Sequence, residues 1–389
     1  MTITWRDDLR RKGEAEFARL GWPTRKVESW HYTDLSQHGL SGYLAAESGG
    51  PRPAQPGLVH LVNGFLAAAG RMPAGATLER LENSAIGQKR IGSLLPPGLP
   101  LASLNAGLFT DALVLRLEGQ VDAPITIISE GQADSPLQFH GRLLVLADAG
   151  SSATLIETHK GAGRYFANHV VEIALGADAS LDHILLQDES AEATHVGLLA
   201  LDLAARARYR GVQLQLGALL ARREVQAVLS GDHADFALDG ATLATGRQHL
   251  DSTTRIVHRA PHCPSRQLFK TVLDEQGHGV FQGTVLVERP AQKTAAHQLS
   301  RALMLSDRAA MDNKPELEIF ADDVKCGHGA TIGDIDETQL FYLRARGVEE
   351  SVARRMLVEA FLGEVVEQIA AEGLREAYGA LLRERLESR

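Results

Sequence analysis

The spacing of hydrophobic and polar positions gives this chain three textures. From the start to about Pro23 the period is helical, with Leu9, Phe17 and Leu20 separated by charged residues. Pro23 stops the helix, because the residue before a proline is pushed out of the helical region. Residues 40–57 are rich in Gly, Pro and Ala and read as a linker. Residues 58–65 read as a strand running into an Asn63-Gly64 turn. A short helix is expected over 103–109, after which Leu113, Leu115 and Leu117 open another strand, and a boundary is placed near residue 110.

From about 112 to 333 the chain consists of short apolar runs broken by Gly, Ala, Asp and Ser. Residues 147–156 echo residues 175–184, with a weaker echo at 232–241. Small-residue turns recurring between strands, without long helical stretches between them, predict stacked solenoid coils. A sandwich of short strands is the alternative, less suited to a unit of this size. The texture ends in two strand-like pieces. Leu317, Ile319 and Ala321 alternate with Glu316 and Glu318, Asp322-Asp323 turn the chain, and Val324, Cys326, His328, Ala330 and Ile332 then share one face of the next strand.

Beyond Gly333 the period is helical again. Asp336 is placed to cap a helix through Phe341, Leu343 and Arg346 that ends at Gly347. A longer helix from about Glu349 would set Val352, Met356, Phe361, Val365 and Ile369 along one side, and a last one carries Leu374, Tyr378, Leu381, Leu382 and Leu386. Two readings fit these helices: a cap on one end of the solenoid, or a docking surface for another protein. The predicted organisation is an N-terminal helical region with linker (1–110), a β core (111–335) and a C-terminal helical domain (336–389).

Composition narrows the function. Of 389 residues, 44% are hydrophobic, so the chain folds rather than remaining disordered. The net charge of -9, with no dense basic run, argues against nucleic acid as a partner. The charged start lacks the apolar stretch of a secretory signal, and no segment is long and apolar enough for a membrane span, so a cytoplasmic location is expected. The two cysteines, Cys263 and Cys326, are too few for a disulfide framework. They are also too few to hold a four-thiolate cluster.

Cys326 and His328 should point the same way, two residues apart. Thiolate and neutral imidazole are both good ligands for zinc and iron, so the pair could share a metal ion; a buried Cys beside a hydrogen-bonded His would give the same spacing. His249, His258, His262 and Cys263 are close in sequence, but neighbours on a strand point to opposite faces, which makes a poor ligand set. No HExxH, CxxC, Walker loop or GxSxG is present. The aromatics between residues 22 and 35 form either a docking patch or, the preferred reading, an anchor tying the first helices to the body. A stand-alone cytoplasmic β-solenoid acting on carbohydrate, using Asp322, Asp323 and His328, is the alternative function, although adjacent carboxylates on an extended chain point apart.

Residues 315–319 together with Ala321-Asp322-Asp323-Val324-Lys325-Cys326-Gly327-His328-Gly329-Ala330-Thr331 resemble the most recognisable block of the SufD branch of the SufB/SufD family, part of the Suf iron-sulfur cluster assembly machinery. Residues 339–347, His249-Leu250-Asp251, Val280-Phe281-Gln282-Gly283 and Glu28-Ser29-Trp30-His31-Tyr32-Thr33 are similar as well, in the family's order over nearly the whole chain. SufB shares the fold but differs where Lys325-Cys326-Gly327-His328-Gly329 stands here.

The resemblance implies a mainly β protein, a right-handed parallel β-helix flanked by N- and C-terminal helical regions. It implies a non-catalytic scaffold joined to a SufB-like homologous subunit through the β-helix. SufC-like ATPases would dock on the C-terminal helices, where Tyr342, Arg346, Met356 and Phe361 are the candidate contacts. No catalytic or cofactor-binding residue is assigned. Cys326 and His328 would be metal ligands at the interface, where a transient iron-sulfur cluster forms. A cluster asks for about four ligands and this block offers two, so a partner must complete the set, and the chain alone is expected to hold no permanent cofactor. His328 is the stronger candidate; Cys326, beside Lys325, is either a low-pKa thiolate or packing. An open sheet edge also predicts a homodimer when the partner is absent.

Overall fold

The structure is a computed structural model and describes residues 5–387. Its strands are β1 (Leu44–Ala45), β2 (Leu58–Val62), β3 (Phe65–Ala69), β4 (Ala76–Arg80), β5 (Ala112–Leu117), β6 (Ile125–Gln132), β7 (Leu137–Ala147), β8 (Ser152–Ala162), β9 (Tyr165–Leu175), β10 (Ser180–Asp188), β11 (Thr194–Leu203), β12 (Arg208–Gln215), β13 (Leu220–Leu229), β14 (Asp235–Ala244), β15 (His249–His258), β16 (Pro264–Leu273), β17 (His278–Val287), β18 (Ala295–Met304), β19 (Ala310–Ile319) and β20 (Lys325–Gly333). The helices are α1 (Trp5–Leu20), α2 (Ala85–Arg90), α3 (Pro100–Leu108), α4 (Glu337–Arg344), α5 (Glu350–Val366) and α6 (Glu372–Glu387).

From β5 to β20 the strands alternate between two 10-stranded sheets, and each pairs in parallel with the strand two ahead of it. This is a parallel β-helix, and the sandwich alternative falls. The recurring small-residue turns are the reason. Gly150, Asp178, Arg206, His233, His262 and Lys293 all take positive φ at one corner of successive coils. The amide of each donates to a carbonyl of the next coil, as from Asp178 to Ala205 at 2.9 Å and from Arg206 to Asp232 at 2.9 Å. A left-handed residue costs about 1–2 kcal/mol when it is not glycine, which a backbone bond repeated in every coil offsets. The echoing segments 147–156 and 175–184 are this corner one coil apart, with Ile156 in register with Ile184.

At the first end the chain reverses: β3 lies antiparallel to β2 and β4 antiparallel to β5, so an antiparallel strand terminates each sheet. β2 itself joins β6 in parallel. The expected linker is only partly one, since Leu40 and Tyr43 are buried and β1 pairs with β7. Their side chains find an apolar cleft beside Trp30, Leu101 and Phe166, which composition alone cannot reveal.

Helices cover the outer faces of the sheets. On one flank α3 inserts Asn105, whose amide donates to the carbonyls of Gly141 and Asn168. On the other, α5 and α6 bury Leu362, Val365 and Leu382 against Ile184, Leu214 and Leu243. The C-terminal helices therefore lie along the side of the solenoid and do not cap its end. Asp336 caps α4 by accepting from the amides of Thr338 and Gln339. On α5 the buried stripe is Ala353, Val358, Leu362, Val365 and Val366, offset from the predicted one, so Met356 faces outward and Ile369 lies past the helix end.

Candidate functional site

β19 and β20 are the last strands of their sheets, and among the described residues no further coil follows. Register fixes which side chains face the interior. Phe236, Ser265, Ala296 and Cys326 form one row across β14, β16, β18 and β20, and Leu238, Gln267, Gln298 and His328 form the next. In the earlier coils these rows are sealed: Gln267 and Gln298 are nearly inaccessible. On β20 the same face is uncovered. His328 is exposed, as are Ala330 and Ile332, with Ile319 and Phe320 beside the turn. Cys326 and His328 thus share one side of the strand, as the alternation predicted.

The two differ in surroundings. Cys326 is half-buried against Val285, Val287, Ala291, Ala296 and Ala321. Burial raises its thiol above the usual range, outweighing the hydrogen bond with the Ala296 backbone. Lys325 points to the other face and is exposed, so the low-pKa thiolate is not a property of this chain by itself. Around the pair the lumen is polar and unsatisfied. Neither the amide groups of Gln267, Gln298 and Asn313 nor the Ser300 hydroxyl has a hydrogen-bond partner among the described residues. The mouth of the solenoid is therefore a thiol, an imidazole and free amides inside a rim of exposed Ile319, Phe320 and Ile332. A large exposed apolar rim around polar groups is the anatomy of an interaction surface.

Asp322 and Asp323 occupy the turn, where Asp323 pairs with Lys293. Along the C-terminal helices, Tyr342 and Arg346 are exposed, with the guanidinium stacked 3.5 Å from the Tyr342 ring. Met356 is exposed, whereas Phe361 is half-buried with Lys270 Nζ 4.5 Å above its ring. The structure does not gather the other sequence-adjacent candidates. His262 stacks on His233 at the solenoid corner, with ring centroids 4.8 Å apart. Cys263 is buried in the core, its thiol pushed up to about 11 by burial, and His258 is bonded to Ser265 at 2.9 Å.

The aromatic segment near residue 30 is an anchor. Trp30 is 3% exposed, Thr33 bonds Asp251 and lies 2.9 Å from His249 Nε2, and Gln282 donates to the Ser29 carbonyl at 3.1 Å. A buried polar group in the lumen, including Glu157, His159 and His169, is not apparent from the sequence. Its only trace there is the period-2 spacing of Glu157 and His159. No described helix is long and apolar enough to cross a membrane.

Comparison with known proteins places these features in context. The family described as SUF system FeS cluster assembly, SufBD core domain, matches residues 128–361. An iron-sulfur cluster assembly SufBD family protein of Synechocystis sp. is 32% identical over 400 residues, covering 94% of this chain and 88% of the relative. The iron-sulfur cluster assembly protein SufD of Escherichia coli is 31% identical over 393 residues, covering 95% of this chain and 91% of the relative. A chloroplastic protein of Arabidopsis thaliana is 37% identical over 239 residues, covering 60% of this chain and 50% of the relative.

Proposed function

Because the chain belongs to the SufBD family of iron-sulfur cluster assembly proteins, we propose that it is a SufD-like, non-catalytic scaffold subunit whose open solenoid end pairs with a SufB-like homologous subunit. The observation that carries this reading is the uncovered interior face of β20, with Cys326 and His328 together on it. An imidazole and a thiol are good donors for iron, but two ligands do not hold a cluster that needs about four. The pairing subunit supplies the rest, and the cluster, as cargo, leaves once built. Exposed Ile319, Phe320 and Ile332 would be buried in that interface, which supports pairing at this end. Without the partner, the same rim and the edges of β19 and β20 favour a homodimer.

In this reading the solenoid of residues 111–335 carries the pairing surface, and the helices of 336–389 carry the dock for a SufC-like ATPase in the cytoplasm. Exposed Tyr342, Arg346 and Met356 are its contacts, and Phe361 supports them from the seam below. The test uses the reconstituted complex with the His328→Ala variant. Iron and sulfide per complex should fall to background while size-exclusion chromatography shows the subunits still associated. Undiminished cluster yield in the intact complex removes His328 from the site.

A further inference from the structure

Deep in the lumen, three histidines from different coils come together. His159 on β8, His169 on β9 and His195 on β11 are each buried, and one ring nitrogen from each lies within 4.8 Å of the others. Their ring centroids are 4.6, 4.8 and 5.4 Å apart. Two carboxylates flank them. Glu189 Oε2 is 2.8 Å from His195 Nδ1, and Glu157 Oε2 is 3.5 Å from His159 Nε2. His159 Nε2 has only the long contact to Glu157, and its Nδ1 has no partner among the described residues. A buried polar nitrogen left without a partner costs on the order of 1–3 kcal/mol.

The backbone has been cleared to make room. Gly141, His169 and Gly197 form one interior row across β7, β9 and β11. A Cβ on Gly141 would stand 2.3 Å from His169 Nδ1, and one on Gly197 would stand 2.9 Å from His195 Nε2. Glycine inside a strand weakens it by roughly 0.5–1 kcal/mol; here Gly141 leaves space for His169, and Gly197 leaves space for His195 and the Arg223 guanidinium.

We propose that His159, His169 and His195 bind one divalent transition-metal ion inside the solenoid, with Glu157 as the fourth ligand. Three imidazoles and a carboxylate are a donor set for zinc or iron. Bonds of about 2.1 Å in tetrahedral geometry put ligand nitrogens roughly 3.4 Å apart, so the rings close in by about 1 Å on binding. Glu189 holds His195, and Ser129 Oγ, 3.3 Å from His169 Nε2, holds His169; each orients a ring from behind. The site is independent of the open end: β8 and β20 are six strand spacings apart, roughly 29 Å.

The probe is Co²⁺ alone, added to chelator-treated full-length protein. Wild type should bind one equivalent and develop visible d–d absorption, while His159→Gln and His169→Gln lose it. Anomalous scattering from Co²⁺-soaked wild-type crystals should place the ion among the three imidazoles, a readout that does not depend on whether the variants fold. No absorption in the wild type, or anomalous density only at Cys326 and His328, overturns the assignment.

Discussion

Arg222 stacks its guanidinium 4.1 Å above the ring of Trp30 and reaches Asp251 with Nη1 at 2.5 Å. This one contact joins residues more than 190 positions apart in sequence and closes the N-terminal segment over the outer face of the β13–β15 strands. The Arg222 and Asp251 side chains are both fully buried, so their pairing stands in for lost hydration.

Removing either side of this stack should destabilise the chain strongly. Trp30→Ala empties a buried aromatic site, expected to cost about 3–5 kcal/mol. Asp251→Ala leaves the buried Arg222 guanidinium with Glu224, 3.2 Å from Nη2, as its remaining carboxylate partner, a loss of up to about 3–5 kcal/mol. Urea unfolding followed by circular dichroism measures both. Midpoints unchanged from wild type would mean that Trp30 serves a partner rather than the fold.

Stability should fall as pH drops from 6.5 towards 4. Burial depresses His140, His249 and His258 to about 4, so each must take up a proton on unfolding below its ordinary value of 6.5. Their contribution is complete above pH 6.5 and is lost as pH falls through 4. Asp239 acts in the opposite sense, because burial raises it to about 6 against the pull of Arg266; its contribution is complete below about 3.8 and is lost as pH rises through 6. Three histidines outweigh one carboxyl, leaving a net loss of stability on acidification. Thermal unfolding between pH 4 and 7.5 tests this, and His258→Gln should flatten the curve.

Deleting residues 336–389 should harm the solenoid itself. The helices cover Ile184, Leu186, Val212, Leu214, Ala241 and Leu243, and an exposed apolar patch of that kind promotes association. The truncated chain is expected to bind a hydrophobic dye and sediment as aggregate. Tyr342→Glu and Met356→Glu change exposed positions only, so they should keep the wild-type unfolding midpoint while abolishing capture of a SufC-like ATPase. A monodisperse truncation without dye binding would show that the helices are dispensable for the fold.

Much of the architecture was legible because it is local. Strand alternation, the echoing corner segments, the Asn63-Gly64 hairpin turn and the Asp336 cap all act within a few residues of chain. The side shared by Cys326 and His328 followed from period 2 alone. The helix placement was less legible, since an amphipathic stripe says that a face is buried but not against what; Met356 fell outside the stripe for that reason. The burial of Leu40 and Tyr43 in a Gly/Pro-rich stretch escaped for the same cause.

By itself the sequence determined the strands, their turns, the family and the facing of the sulfur and imidazole on the last strand, because backbone geometry ties each to its neighbours. Tertiary structure alone decided the rest. Stacking of coils set which residues share a row, so it left β20 open, turned the aromatic segment into an anchor, and drew His159, His169 and His195 together from three strands. Those outcomes depend on the register between coils, and register is a property of the assembled sheets that no short stretch of chain contains.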